Sequence, residues 1–313
     1  MRATYLAALV AAALVAGTAS AGAGPTAQEE DDKLVLTNGD ITVEFVGKEA
    51  VLKVFPTANA AAAWKLRFDR VVEFQDADAD GLADLGEVRA FLDLADAESW
   101  RVETTTDADS AEVRIGLEAP LTLQTPAGIG VPVPADRLTG NVTLVFTVFA
   151  APATVDSENA SITVELTEVR MDFRVESWSW IDASGDSLAL FADVPSDLSL
   201  GALGATVVEA DSTIGGIDWL PTAEAETDGE TETVDVETEI VSDDGAARLQ
   251  HAFAASGFDT LEHHSSLGVV ATLPEEVVPE GVIAGKVRDV PAAGVLLAAA
   301  AAAGTAFVMA RKR

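Results

Sequence analysis

The sequence predicts an all-β fold, an antiparallel sandwich-like domain, on three observations. Short runs of alternating apolar and polar residues recur through residues 33–273, turn dipeptides such as Asn38-Gly39 and Asp244-Gly245 separate them, and no strand–helix–strand alternation appears. Eight or more strands at this spacing favour two packed antiparallel sheets. No Pro- or Gly-rich linker divides the middle, so a single domain is expected.

In chain order, residues 1–21 have the layout of a secretory signal: Arg2, the apolar run Leu6 to Ala16, and Ala19-Ser20-Ala21 as an A-x-A cleavage site. Residues 22–32 are small, polar and acidic and read as a flexible leader. Lys33 to Thr37 and Asp40 to Val46 flank the hairpin signal Asn38-Gly39, and Ala50 to Phe55 supplies a third strand. Trp64, Leu66, Phe68, Val72 and Phe74 alternate with Lys65, Arg67, Asp69, Glu73 and Gln75, the period of a half-buried strand.

The stretch Asp76 to Glu87, DADADGLADLGE, follows that strand. A calcium ion takes six to eight oxygens, and a twelve-residue loop can supply them from positions 1, 3, 5, 7, 9 and 12, with Gly at 6 for the sharp turn. Those slots hold Asp76, Asp78, Asp80, the Leu82 carbonyl, Asp84 and Glu87, with Gly81 at the turn. Even with 52 acids in the chain, five acids and a Gly at these spacings arise by chance at roughly 0.003 hits per chain. A strand in place of the leading helix makes the segment resemble the isolated calcium loops of dockerin and thrombospondin type 3 repeats as much as an EF-hand. That resemblance covers twelve residues and implies a structural clip of calcium, with a Kd on the order of 10⁻⁴ to 10⁻³ M as in extracellular modules.

After the loop, Val88, Phe91, Leu92 and Ala95 share a helical face, so Glu87 to Ala95 is expected as a short helix. Trp100 to Thr106 and Ala111 to Glu118 pair across Asp107 to Ser110, and Thr125 to Arg137 has the Pro/Gly punctuation of a long loop. Val142 to Ala150 and Ser161 to Trp180 alternate; two phase shifts in the latter predict bulges near Thr167 and Glu176. Ser184-Gly185 turns the chain into Leu188 to Val194, Thr222 to Thr231 reads as an acidic mobile loop, Thr233 to Val241 and Ala247 to Ala254 flank Asp244-Gly245, and Leu267 to Leu273 is a last strand. Residues 274–289 form a stalk. Residues 290–310 are 21 in number without a charge, long enough as a helix for a bilayer core of roughly 30 Å, and the basic residues 311–313 predict a cytoplasmic tail with the preceding domain outside.

A formal charge of −33 disfavours nucleic acid and anionic lipid as partners, while 49% hydrophobic residues supply a core and exclude an acidic disordered chain. Only six of the 19 bases are Lys, and this acid-rich, Lys-poor, Ala- and Val-rich chain resembles the secreted, C-terminally anchored surface proteins of halophilic archaea. The absence of cysteine excludes disulfides, thiolate chemistry and a lipid-modified cysteine.

The remaining chemistry is sparse. Adjacent His263 and His264 would point to opposite faces of a strand and so chelate one ion poorly, which disfavours Glu262-His263-His264 as a metal site; they and His251 are expected as exposed loop residues. No G-x-S-x-G elbow occurs; Gly128-Ile129-Gly130 lacks a third glycine, and Gly281 to Lys286 is one residue short of a phosphate loop. Trp178 and Trp180 share one face and are expected in the core, the other reading being a flat carbohydrate platform. Asn141 and Asn159 head glycosylation sequons, Asn159 being the better placed. These features imply a membrane-anchored, extracellular β domain of structural or adhesive kind, with envelope proteins or surface glycans as partners. The rival is a carbohydrate-binding or carbohydrate-active protein using Trp and Asp/Glu.

Overall fold

In the computed structural model, residues 24–30, 33–60, 63–84, 86–95, 100–125, 129–132, 138–156, 160–194, 198–200, 206–210, 213–243 and 246–270 are described. The signal, the stalk, the 290–310 segment, the tail, Asn159 and Asp244-Gly245 lie outside them. Among the described residues no helix is long and apolar enough to cross a membrane.

The fold is all-β and antiparallel. The strands are β1 (Thr26–Glu30), β2 (Lys33–Thr37), β3 (Ile41–Val46), β4 (Val51–Pro56), β5 (Trp64–Phe74), β6 (Val88–Asp93), β7 (Arg101–Thr106) and β8 (Ser110–Pro120). Next come β9 (Thr122–Gln124), β10 (Gly130–Pro132), β11 (Thr139–Phe149), β12 (Ala153–Asp156), β13 (Ser161–Val164), β14 (Glu168–Glu176) and β15 (Ser187–Val194). The last are β16 (Leu198–Leu200), β17 (Thr206–Ala210), β18 (Thr213–Trp219), β19 (Thr222–Thr227), β20 (Glu230–Asp243), β21 (Ala246–Phe253) and β22 (Thr260–Val270).

One sheet runs β1-β2-β3-β4-β5-β15-β21-β20, with β6, β9 and β10 added beside the second half of β5. The other runs β7-β8-β11-β14-β22, and β22 is flanked on its far side by β18 over one half and β19 over the other. The inward residues meet across one core: Phe45 and Phe68 lie 5.8 and 6.3 Å from Phe146, and Phe173 stacks on Phe253 at 5.6 Å. Strand β20 belongs to both sheets. Its first half pairs with β19 and its second with β21, so backbone hydrogen bonding passes from one layer to the other and the sandwich is partly closed, barrel-like.

Several expectations hold. The Asn38-Gly39 hairpin joins β2 to β3, with Gly39 at φ +97°, and Asp107 to Ser110 closes the β7–β8 hairpin by a 2.9 Å backbone bond. Others need correction. The leader contains β1, paired along its length with β2. Glu87 to Ala95 is the strand β6, not a helix: Val88, Ala90 and Leu92 are buried while Phe91 packs on the outer face, and burial on both faces imitates a helical spacing. Part of the Thr125 to Arg137 loop is the β9–β10 hairpin. The predicted bulges are strand ends: β13 pairs away with β12 in a small separate sheet, and after β14 the chain turns at Ser177, φ +54°. Thr222 to Thr231 is the β19–β20 hairpin, turned by Asp228 and Gly229 at φ +53° and +82°.

The histidines are corrected too. His251 and His263 are on strands and fully buried in the core, their rings 5.3 Å apart, while His264 faces the other side of β22. His263 donates Nε2–H to the Leu220 carbonyl at 2.9 Å, and His251 Nδ1 meets Thr238 Oγ1 at 2.9 Å. Burial drives both imidazoles neutral, His263 down to about 4.

Candidate metal centre

The Asp76 to Glu87 loop is the β5–β6 connection, and the hairpin fixes its ends. Phe74 pairs with Val88, and Gln75 N–H donates to the Glu87 carbonyl at 3.1 Å, so the first and last acidic positions start one strand spacing apart. Inside the loop the side chains fold the backbone. Asp76 accepts from Ala79 N at 2.8 Å through Oδ1 and from Gly81 N at 3.0 Å through Oδ2; Asp80 accepts from Leu82 N at 2.8 Å; Asp78 accepts more weakly from Asp80 N at 3.4 Å. These short Asx bonds are why alternate aspartates suit a tight loop. Glu87 spans its mouth, accepting from Ala77 N at 2.8 Å and Asp84 N at 3.3 Å.

One carboxylate oxygen each from Asp76, Asp78 and Asp80 lies within 4.8 Å of the other two. Calcium–oxygen distances of 2.3–2.6 Å allow two ligands to stand up to about 5.2 Å apart, so these three oxygens can share one ion. Asp84 and Glu87 stand on the returning limb outside this group: Glu87 is tied to it by accepting from the Ala77 amide, and the Asp84 amide donates to Glu87. Partial desolvation, then the Asp80 carboxylate, push the Asp78 carboxyl above its usual range.

The loop is seated as well as folded. Ala83 is buried and Leu82 half-buried against Val72, Phe74, Val88, Ala189 and Ala252 on the outer face of the first sheet, a second apolar cluster that exists because the loop covers it. Gly81 has φ +81°, and a Cβ there would meet Glu237 Cγ at 2.9 Å, so any other residue at the turn is strained and must displace the Glu237 side chain.

A second group of possible ligands, Asp172, Glu262 and His264, occupies the outer face of β14 and β22. Its charges are already matched: Arg170 Nε meets Asp172 Oδ1 at 2.6 Å, Arg174 Nη2 meets Glu262 Oε1 at 2.6 Å, and His264 Nδ1 meets Asp172 at 2.8 Å. Burial pushes the Asp172 carboxyl up, but His264 and Arg170 hold it below the usual range. A cation would have to displace two guanidiniums, so this is an ion-pair network.

Sequence reasoning missed one constellation. Glu73, fully buried and pointing into the core, accepts from Trp178 Nε1 at 2.9 Å, Ile181 N at 2.6 Å and Asp182 N at 3.2 Å, and so pins the loop after β14 over the mouth of the sandwich. Burial pushes its carboxyl up to about 7 and raises that of the neighbouring buried Asp186, which Arg89 approaches at 3.3 Å. The sequence hid it: a register shift in β5 after Phe68 reverses the alternation, so Glu73, which reads with the outward polar residues, points inward beside Val71. Trp178 is in the core as expected, and Trp180 packs edge-on against Phe258 at 4.9 Å. Asn141 is half-buried in the central strand β11, its amide within 3.4 Å of Glu176, which leaves it poorly placed for a glycan.

No protein-family model matches the chain, and no curated protein matches it. Among solved structures, the chain described as "Crystal Structure Analysis of HI1317" is similar over 80% of this chain and 98% of that one, at 9% identity and a TM-score of 0.28, too remote a likeness to carry an argument.

Proposed function

We propose that this is a cell-surface, membrane-anchored structural or adhesive protein whose extracellular β domain is stabilised by calcium at Asp76, Asp78, Asp80, Asp84, Glu87 and the Leu82 carbonyl. The observation that carries the calcium reading is the approach of the three aspartate oxygens within 4.8 Å at the tip of a hairpin whose ends are locked. Support for the surface assignment comes from the signal-like residues 1–21, the uncharged residues 290–310 and the basic end of the chain. Salt adaptation is the reading of the −33 charge. Ca²⁺ enters as a structural clip; the chain's own part is to hold the oxygens and to dock Leu82 and Ala83.

The test is thermal. An ion that binds only the folded state stabilises it by RT ln(1 + [L]/Kd), so ~10 mM calcium on a ~0.1 mM site adds about 2.7 kcal/mol. The melting temperature should rise with calcium and fall with chelator at constant ionic strength, and Asp78→Ala should remove that response. A response that survives Asp78→Ala assigns calcium elsewhere. Anchoring and exposure are tested by protease shaving of intact cells: accessible epitopes in residues 33–273 and membrane-fraction recovery are expected.

A further inference from the structure

Charge is segregated in this chain beyond its overall acidity. Four of the six lysines fall between residues 33 and 65, whereas no Lys or Arg occurs between Arg174 and Arg248. The fold turns that into two opposite surfaces.

On the outer face of the first sheet, Lys53 of β4 stands directly across from Lys65 of β5, and like charges at that position destabilise a sheet. Glu44 has to serve two amines, Lys33 at 2.5 Å and Lys53 at 3.5 Å. Lys65 and Arg67, two residues apart and both exposed, have no hydrogen bond or ion pair among the described residues. Asp193, opposite Arg67, is held by Arg248 at 3.2 Å. The Lys53–Lys65 apposition costs stability, and the Lys65 and Arg67 end of the strip has no anionic partner among the described residues.

On the outer face of the other sheet lies its complement. Glu224 and Glu226 of β19 alternate with the buried Ala223 and Ala225, so both carboxylates point out, and both are exposed without a cationic partner among the described residues. Glu224 stands across from Glu262 of β22, again like against like. The two pairs match in spacing as well as in sign, since residues i and i+2 of any strand lie about 6.6–6.8 Å apart on one face.

We propose that Lys65 and Arg67 of one copy dock on Glu224 and Glu226 of another. The two patches face away from each other on opposite sheets, so one copy cannot satisfy itself. The contact is heterologous, and repetition gives a head-to-tail chain of molecules unless the rotation closes a ring. Salt should favour it. At 1 M ionic strength the Debye length is about 3 Å, which weakens exposed ion pairs but removes far more of the longer-range repulsion between bodies of charge −33. No atom of the 76–87 loop takes part, so the proposal stands or falls separately from calcium.

The test is a charge swap on the full chain in non-ionic detergent, read by sedimentation velocity over a concentration series in 1 M and 0.1 M KCl. Wild type should self-associate more in 1 M. Lys65→Glu/Arg67→Glu and Glu224→Lys/Glu226→Lys should each weaken association by about tenfold or more, because like charges then meet. Mixing the two variants in equal amounts should restore it. A wild type that stays monomeric, variants that associate as wild type does, or a mixture that fails to recover would each overturn the proposal. So would monomeric wild type that binds a sulfated polysaccharide through Lys65 and Arg67, which would give the strip a foreign polyanion. Lys65→Gln/Arg67→Gln, which adds no acid, gives the same reading if the reversals disturb folding.

Discussion

Asp218 makes a test of burial against charge. It points out from β18 between the inward Ile217 and Trp219, and burial, then the Glu168 carboxylate, push its carboxyl up to about 7. A carboxyl held above its unfolded value binds its proton more tightly in the fold, so its contribution is complete below the unfolded pKa and is lost as pH rises through about 7. Asp218→Asn cannot ionise. It should leave the melting temperature unchanged near pH 4 and raise stability at pH 8, by at most about 4 kcal/mol and less in proportion to the solvent screening of a half-buried group; equal effects at both would refute the shift. The buried histidines have the opposite sign, their stabilisation present above about 6.5 and lost as pH falls toward 4, so mutant and wild type must be compared at the same pH. At the mouth of the sandwich, Trp178→Phe keeps the ring in the core but takes the donor from Glu73, a buried acceptor, and should cost about 1–3 kcal/mol in a denaturant melt. None of this chemistry was readable beforehand, because it depends on which residues the pairing brings over Glu73 and beside Asp218.

At the scale of elements, Gly81 carries the argument for the loop. Gly81→Ala demands a positive φ of a residue with a Cβ and thrusts that Cβ at Glu237, so a loss of about 1–3 kcal/mol is expected together with a weaker calcium response in the thermal melt. Alternation made most strands readable, and the order of acids singled out Asp76, Asp78 and Asp80, whose carboxylate oxygens the fold gathers. Reading failed where a strand is covered on both faces, as in β6, whose Phe91 lies under a cluster supplied by other elements. It failed again where the inward residues are small. Ala223 and Ala225 give β19 a weak apolar phase, and the acidity of the stretch outweighed Asp228-Gly229, a turn dipeptide that was in plain sight. The histidines went astray for the same reason in reverse: polar residues at inward positions break the alternation that marks a strand, although Leu261, His263, Ser265 and Leu267 form one buried row.

For the whole molecule, net charge and topology act together. Moving from 0.1 to 1 M salt shortens the Debye length from about 10 to about 3 Å and relieves the self-repulsion of a −33 body, so the melting temperature should climb over that range; a flat or falling profile would argue against salt adaptation. Strand β22 adds a mechanical corollary. It is the last strand of the described residues and sits in the interior of its sheet, joined to β14 through nine residue pairs on one side and to β18 and β19 on the other. Tension entering from beyond Val270 along the strand would have to shear both seams at once, whereas an edge strand such as β7 could be peeled one bond at a time. A load applied at that end would be shared between two seams of backbone hydrogen bonds before the strand could leave the sheet.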